Sequence, residues 1–243
     1  MAAKYRRHDG RAPAELRPVK LTPGFISTAD GSCLIETGGT RVICTASFSE
    51  TVPKWRLGSG LGWVTAEYGM LPASTGSRKP RAIGKPDSRS VEIQRIIGRT
   101  LRNTVRFDRL GENTISLDCD VLEADGGTRT SAITGAWVAL ALAAKRAGQA
   151  GLCAKGTIKA AVAATSVGIV AGRTLLDLDY VEDSAAEVDI NIAMTSGGKF
   201  VEIQGSSEGN PFDAKQLAEA IRLAQKGIRK LLGIQRKALA GAK

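Results

Sequence analysis

Histidine is almost missing from this chain: His8 is the only one in 243 residues. A Ser–His or Cys–His enzyme needs an imidazole base beside its nucleophile, and His8 sits on a polar N-terminal tail, so that chemistry is excluded. Cysteine is scarce too. Cys33, Cys44, Cys119 and Cys153 form no CxxC pair and join no His/Cys cluster, which argues against a zinc site. Cys33, Cys44 and Cys119 fall in strand-like segments and read as small core residues. Free thiols of this kind fit a cytoplasmic protein. The stretch Met1–Pro18 is basic and polar, with no apolar h-region, so no secretory signal is expected. Long apolar runs are lacking as well. The longest uncharged helical segment, Thr130–Ala144, would reach only about 22 Å, short of the ~30 Å hydrocarbon core. It reads as a buried helix, and no membrane partner is expected. No GxxxxGK[ST] P-loop is present, no Pro/Gly/Ser linker splits the chain, and no strong internal repeat recurs.

What is present is positive charge. Lys and Arg number 34 against 24 Asp and Glu, a net +10, on an otherwise ordinary globular composition of 43% hydrophobic residues. That excess points to a polyanionic partner: nucleic acid, an anionic membrane or a phosphorylated substrate.

Along the chain, Ser32–Glu36 and Thr40–Phe48 are β-rich runs around Thr37-Gly38-Gly39, a hairpin signal. A strand follows at Trp63–Tyr68. Ser74–Ser88 is rich in Arg, Lys, Gly, Pro and Ser, has no apolar periodicity, and reads as a mobile basic loop. A helix is predicted over Arg89–Arg106: Ile93, Ile97, Leu101 and Val105 form one stripe, and Arg95, Arg99, Arg102 and Arg106 another. Thr114–Val121 alternates as a strand. Asp125-Gly126-Gly127 then turns into an apolar helix over Thr128–Arg146. Strands are predicted over Thr157–Val170, Leu175–Tyr180, Glu187–Met194 and Lys199–Gln204. A last helix begins near Asp213, where Gln216 completes a capping-box pattern. The mixed order suggests an α+β domain.

Three constellations bear on chemistry. The turn Asp125-Gly126-Gly127-Thr128-Arg129-Thr130 joins a strand to a helix. Its glycines let the backbone approach an anion, the helix start adds partial positive charge, Thr128 a hydroxyl and Arg129 a planar fork. The same spacing also fits a plain strand-to-helix turn. The segment from Asp177 to Asp189 holds Asp177, Asp179, Glu182, Asp183, Glu187 and Asp189 without one Lys or Arg. Six uncompensated acids in so basic a chain should bind a cation or hold a proton, Mg²⁺ with substrate phosphate being one fit; a solvated strand edge is the alternative. Thirdly, Arg78 to Arg109 carries ten Lys or Arg against three acids. It tracks an RNA backbone or is a solvated face.

Several segments resemble a known family. They are Asp9-Gly10-Arg11 with Glu15-Leu16-Arg17-Pro18, the run Gly62–Pro72, Glu92-Ile93-Gln94-Arg95, Leu117–Leu122 leading into Asp125–Thr130, Tyr180–Glu187, and Gln204-Gly205. Together, from about Arg11 to Lys237, they resemble the bacterial ribonuclease PH family, phosphorolytic tRNA nucleotidyltransferases. The resemblance implies one ribonuclease PH domain across residues 1–243, an α+β fold of the ribosomal protein S5 domain 2-like type, and a homohexameric ring, a trimer of dimers. It implies inorganic phosphate as co-substrate, held by Arg89, Gly127, Thr128 and Arg129. It places the catalytic carboxylates on Asp183 and Asp189, where Mg²⁺ would bind. RNA, including tRNA precursors and other structured 3′ ends, would lie along Arg78, Arg81, Arg95, Arg99 and Arg102. One departure is Ala73, where an Arg commonly follows Met70-Leu71-Pro72. The expected reaction is reversible 3′→5′ phosphorolysis releasing nucleoside diphosphates. A non-catalytic RNA-binding ring subunit and a metal-dependent hydrolytic nuclease are the rival readings.

Overall fold

A computed structural model of the chain describes residues 7–81, 84, 87–208 and 210–242. Positions 1–6 of the polar tail, and 82, 83, 85 and 86 of the expected basic loop, lie outside the described residues.

Two sheets share one central helix. The first has the order β1-β2-β3-β5-β4, built from β1 (Val19–Pro23), β2 (Gly31–Thr37), β3 (Thr40–Ser49), β4 (Trp63–Met70) and β5 (Thr114–Glu123). All its pairings are antiparallel except β4 with β5. The second has the order β7-β6-β8-β9 and is antiparallel throughout, from β6 (Val162–Val170), β7 (Arg173–Leu176), β8 (Val188–Thr195) and β9 (Phe200–Ser207). This is the α+β architecture expected from the mixed pattern.

The apolar helix α3 (Thr128–Gln149) packs on β2, β3 and β5 of the first sheet and on β6 of the second. It is buried nearly all round because small residues, Ala132, Gly135, Ala136 and Ala139, let strands approach on several sides. A Cβ at Gly135 would stand 2.8 Å from Ile35 Cγ2 and 2.9 Å from Cys44 Sγ, so that contact admits only glycine. Burial pushes the Cys33 thiol up to about 12 and raises Cys44 as well, so these thiols behave as packing groups. A second apolar cluster lies beneath the long helix α5 (Ala214–Gly241), whose Ala220, Leu223, Ala224, Ile228 and Leu231 cover β6, β7 and β8. Asp213 caps α5 in the predicted capping box with Gln216.

Several boundaries differ from the sequence reading. Helix α1 (Ser88–Arg102) stops four residues early. Thr104 turns its hydroxyl back onto the Leu101 carbonyl at 2.7 Å, and Val105, although buried, pairs with Ile158 as an isolated bridge. Arg106 therefore leaves the arginine row and precedes a short helix, α2 (Phe107–Leu110). The strand expected from Thr157 begins only at Val162, because Thr157 and Lys159 are engaged with the backbone of Arg106 and Thr104. The strand expected to run to Tyr180 ends at Leu176. Asp177 takes φ 55°, a left-handed backbone, and the chain turns into α4 (Tyr180–Ser184). Strand β1 is an element that the sequence pattern does not announce.

Candidate active site

The turn Asp125–Gly127 is held from below. The Arg17 guanidinium donates to both carboxylate oxygens of Asp177, at 3.2 and 2.7 Å, and to the carbonyls of Asp125 and Gly126. Desolvation opposes its charge, but Asp177 and its neighbouring acids hold the Arg17 pKa above its ordinary value. Gly126 has φ 69°, and a Cβ there would come within 2.6 Å of the Asp179 carbonyl carbon, so the turn presses backbone to backbone against the start of α4. Gly127, φ 65°, begins α3 with no side-chain cap, which leaves the first N–H groups of that helix open to an anion. Thr128 is fixed by the buried Tyr68 hydroxyl, which donates to its oxygen at 2.9 Å. Burial raises the Tyr68 pKa and keeps that donor protonated.

These residues line a cleft of about 530 Å³ together with Arg89, Lys79, Ser166, Tyr180, Asp183, Asp189 and Asn191. Arg89 arrives from the first turn of α1, whose N-cap Asp87 accepts from Ser90 N. Arg129 donates to Gln204 Oε1 at 2.8 Å and lies 3.8 Å from Glu92. Asp183 rides on α4 and Asp189 on β8, so the two expected carboxylates meet in one cleft with Arg89, Gly127, Thr128 and Arg129. Burial, and then the charge of Asp183, push Asp189 up to about 6; its Oδ2 accepts from Asn191 at 2.9 Å, while its buried Oδ1 has no partner. Partial burial raises Asp183 too, opposed by Arg129, Arg89 and Arg17.

The six acids are not all uncompensated, which corrects the sequence reading. Arg7, fully buried, donates to both Glu182 oxygens. Arg11 lies 3.7 Å from Asp177 and 3.6 Å from Asp179, and Arg17 pairs with Asp177. Glu187 accepts from the Gly172 N–H. The positive partners come from the other end of the chain, out of reach of a local charge count. His8, Asp179 and Glu182 converge closely, but two arginines already occupy those carboxylates, so they form no cation site.

The proposed RNA row is divided. Arg95 is exposed, and Arg99 pairs with Glu202 at 3.3 Å. Arg102 is turned inward, donating to the Val64 carbonyl at 3.1 Å with its guanidinium 4.7 Å from the Trp63 ring centre. It packs the first sheet and is not a free phosphate contact. Arg78 and Arg81 are exposed and do not line the cleft; Lys79 and Ser77 do. The loop's first half is anchored rather than free, through Ala124 N to the Ser74 carbonyl at 2.8 Å and Lys79 N to the Pro72 carbonyl at 2.8 Å. Sequence reasoning missed Lys79, Tyr68, Ser166 and Gln204. Of these, Tyr68 and Gln204 left a mark there, inside the Gly62–Pro72 and Gln204-Gly205 matches.

Residues 15–145 match domain 1 of the 3′ exoribonuclease family and residues 160–227 match domain 2. The chain belongs to the 3′ exoribonuclease family. Ribonuclease PH of Neisseria meningitidis serogroup C is 54% identical to it over 96% of this chain and 97% of its own length. Among solved structures, rice (Oryza sativa) Rrp46 superposes with a TM-score of 0.78 at 18% identity, covering 96% of this chain and 100% of that one. The Archaeoglobus fulgidus exosome, solved with RNA bound to its active site, gives 0.78 at 22% identity over 94% and 92%. Both share the fold. In this 3′ exoribonuclease the cleft takes Arg89, Gly127, Thr128 and Arg129 from the domain 1 stretch and Asp183 and Asp189 from the domain 2 stretch.

Proposed function

We propose that this protein is a phosphate-dependent 3′→5′ exoribonuclease of the ribonuclease PH kind, trimming tRNA precursors and other structured RNA 3′ ends and releasing nucleoside diphosphates. The observation that carries this reading is one cleft holding an uncapped helix start with two arginines on one side and two elevated carboxylates on the other. Inorganic phosphate fits between Arg89, Arg129, the Thr128 hydroxyl and the Gly127 turn. A phosphate oxygen attacks the terminal phosphodiester phosphorus, the bond to the 3′ oxygen breaks, and that oxygen leaves with a proton. Attacker and target are both anionic, so neutralisation and alignment are the chief tasks, and the arginines supply both. The step is reversible, which predicts nucleotide addition from nucleoside diphosphates.

Asp183 and Asp189 fit Mg²⁺: they face each other, repel each other, and leave a buried carboxylate oxygen without a partner. The ion would offset charge on the scissile phosphate. With a pKa of about 6, Asp189 also suits proton transfer to the leaving oxygen, and the pair titrates as a unit. Arg95 and Arg99 remain as RNA-backbone contacts.

The whole chain is read as one domain, since α3 contributes to the packing of both sheets. A homohexamer, as a trimer of dimers, is the assembly proposed; the exposed apolar Trp55, Leu57, Phe200 and Ile203 support further association. A cytoplasmic location is supported by four free cysteines, and no helix among the described residues is long and apolar enough to cross a membrane.

The test uses RNA labelled at its 3′-terminal nucleotide, with Mg²⁺, with and without inorganic phosphate. Label released as nucleoside diphosphate only with phosphate is expected. Release as monophosphate without phosphate would replace phosphorolysis by hydrolysis, and no release with RNA still bound would make the protein a binding subunit. Arg129→Ala should abolish phosphorolysis while RNA binding persists.

A further inference from the structure

Two residues of the sequence matches, Glu92 of Glu92-Ile93-Gln94-Arg95 and Gln204 of Gln204-Gly205, have no part in the chemistry just described. The fold brings them together behind Arg129. Gln204 lies on β9 directly opposite Asn191 of β8, and Asn191 holds Asp189. Its amide spans two charged groups: Oε1 accepts from Arg129 Nη1 at 2.8 Å, and Nε2 donates to Glu92 Oε1 at 2.7 Å. Among the described residues, Gln204 is the only group that accepts a hydrogen bond from Arg129.

The charges dictate the orientation of the amide. Reversing it would set an NH₂ against the guanidinium and an oxygen against the carboxylate, so both contacts would become repulsive. Glu92 thus acts through Gln204: it fixes which end of the amide meets Arg129. A guanidinium is a planar fork of five N–H donors. Anchoring one N–H fixes the plane and leaves the others to be presented to an anion. The spacer matters as much as the anchor. A carboxylate hydrogen-bonded directly to Arg129 would compete with phosphate, whereas the amide takes that hydrogen bond and holds the carboxylate at a looser ion-pair distance. Glu92 stands at 3.8 Å from Arg129, and its side chain is half exposed.

We infer that Gln204, oriented by Glu92, is a positioning residue that aims Arg129 at phosphate and sets the affinity of the site for that co-substrate. The inference rests on the reading of Arg129 as a phosphate ligand. It also joins the two sheets, because α1 packs on β4 of the first and β9 edges the second. Arg99 of α1 and Glu202 of β9 make a parallel link at 3.3 Å.

The test compares KM for inorganic phosphate with KM for RNA in Gln204→Leu, Glu92→Leu and Glu92→Gln. Losing a charge-assisted hydrogen bond should raise the phosphate KM of Gln204→Leu about tenfold. The KM for RNA should stay near its starting value, and kcat at saturating phosphate should fall far less. Glu92→Leu, a change on the helix surface that spares folding, should raise the phosphate KM in the same direction. Glu92→Gln, which keeps an acceptor for Gln204 Nε2, should restore most of it. The double variant Gln204→Leu/Glu92→Leu should be little worse than Gln204→Leu alone, since both act on one path. Equal changes in both KM values, or an unchanged phosphate KM in Gln204→Leu and Glu92→Leu, would overturn the inference. Arg129→Ala run alongside separates the two failures. If it impairs phosphate use while the Gln204 and Glu92 variants do not, only the positioning role falls; if it too leaves phosphate use intact, the ligand assignment falls with it.

Discussion

Six acids run from Asp177 to Asp189, and the fold puts five of them to two uses, while Glu187 accepts from the Gly172 N–H. Asp177, Asp179 and Glu182 are buried and enclosed by Arg7, Arg11 and Arg17. Asp183 and Asp189 face the cleft with raised pKa values, one of their oxygens buried without a partner. Glu182 and Asp183 are adjacent in the chain, yet on a short helix that single step turns the side chain from the arginine cluster to the cleft. Burial alone therefore does not mark a working acid. What marks it is burial without an adequate counter-charge, which leaves the carboxylate in an unfavourable state that a cation or a proton relieves.

The sharpest way to break this comparison is Asp189→Asn. Turnover should fall by about 10²–10⁴-fold, as for loss of a group that moves a proton in the transition state. The fold should gain stability at the same time. Because the folded pKa of Asp189 lies above its unfolded value, folding takes up a proton between about pH 4 and 6, and stability drops as pH rises through that window. Removing the ionisable group should recover on the order of 1–3 kcal/mol at pH 7 in metal-free protein, read by denaturant unfolding. A destabilised variant would show that Asp189 is adequately paired after all. The pH–rate profile carries the same sign: Asp189 must hold its proton to give it to the leaving oxygen, so turnover should decline as pH rises through about 6.

Arg17→Met tests the other half. It leaves buried Asp177 with only the residue-17 N–H and the more distant Arg11, and frees the Gly126 turn, so the loss should be about 3–5 kcal/mol, with Tm falling on the order of 10 °C. Loss of activity without loss of stability would move Arg17 into the chemistry. The smallest effects are expected on the arginine row. Arg95→Ala should flatten the salt dependence of RNA binding by roughly 0.7 in slope for each phosphate left without its cation. Arg102→Ala should instead lower stability and leave that slope unchanged, because its guanidinium is already spent on Val64 and Trp63.

The sequence is informative where local rules decide. The hairpin at Gly38-Gly39, the alternation of β5, the buried stripe of α1 as far as Leu101 and the capping box of α5 appear as read. So does the meeting of Arg89, Thr128 and Arg129 with Asp183 and Asp189, although that rests on resemblance more than on spacing. What stays hidden is non-local. Helix α4, five residues long, is too short to show a period, and it is made by the Asp179–Glu182 capping box after a left-handed Asp177. Arg102 looks like its neighbours in the row because nothing in the helix repeat records the Trp63 face beside it. Arg7, Arg11 and Arg17 read as part of a polar tail, since their partners lie far along the chain.

That separation has a consequence for how the enzyme comes into being. Arg7 and Glu182 are 175 residues apart. During synthesis, at about 5–20 residues per second, the arginines wait roughly ten seconds or more before their acids leave the ribosome. Through that interval the Gly126 turn lacks its neighbour α4, and the cleft lacks Asp183 and Asp189. The first sheet and α3 are complete well before then, so the growing chain passes through a stage that has a core but no cutting edge.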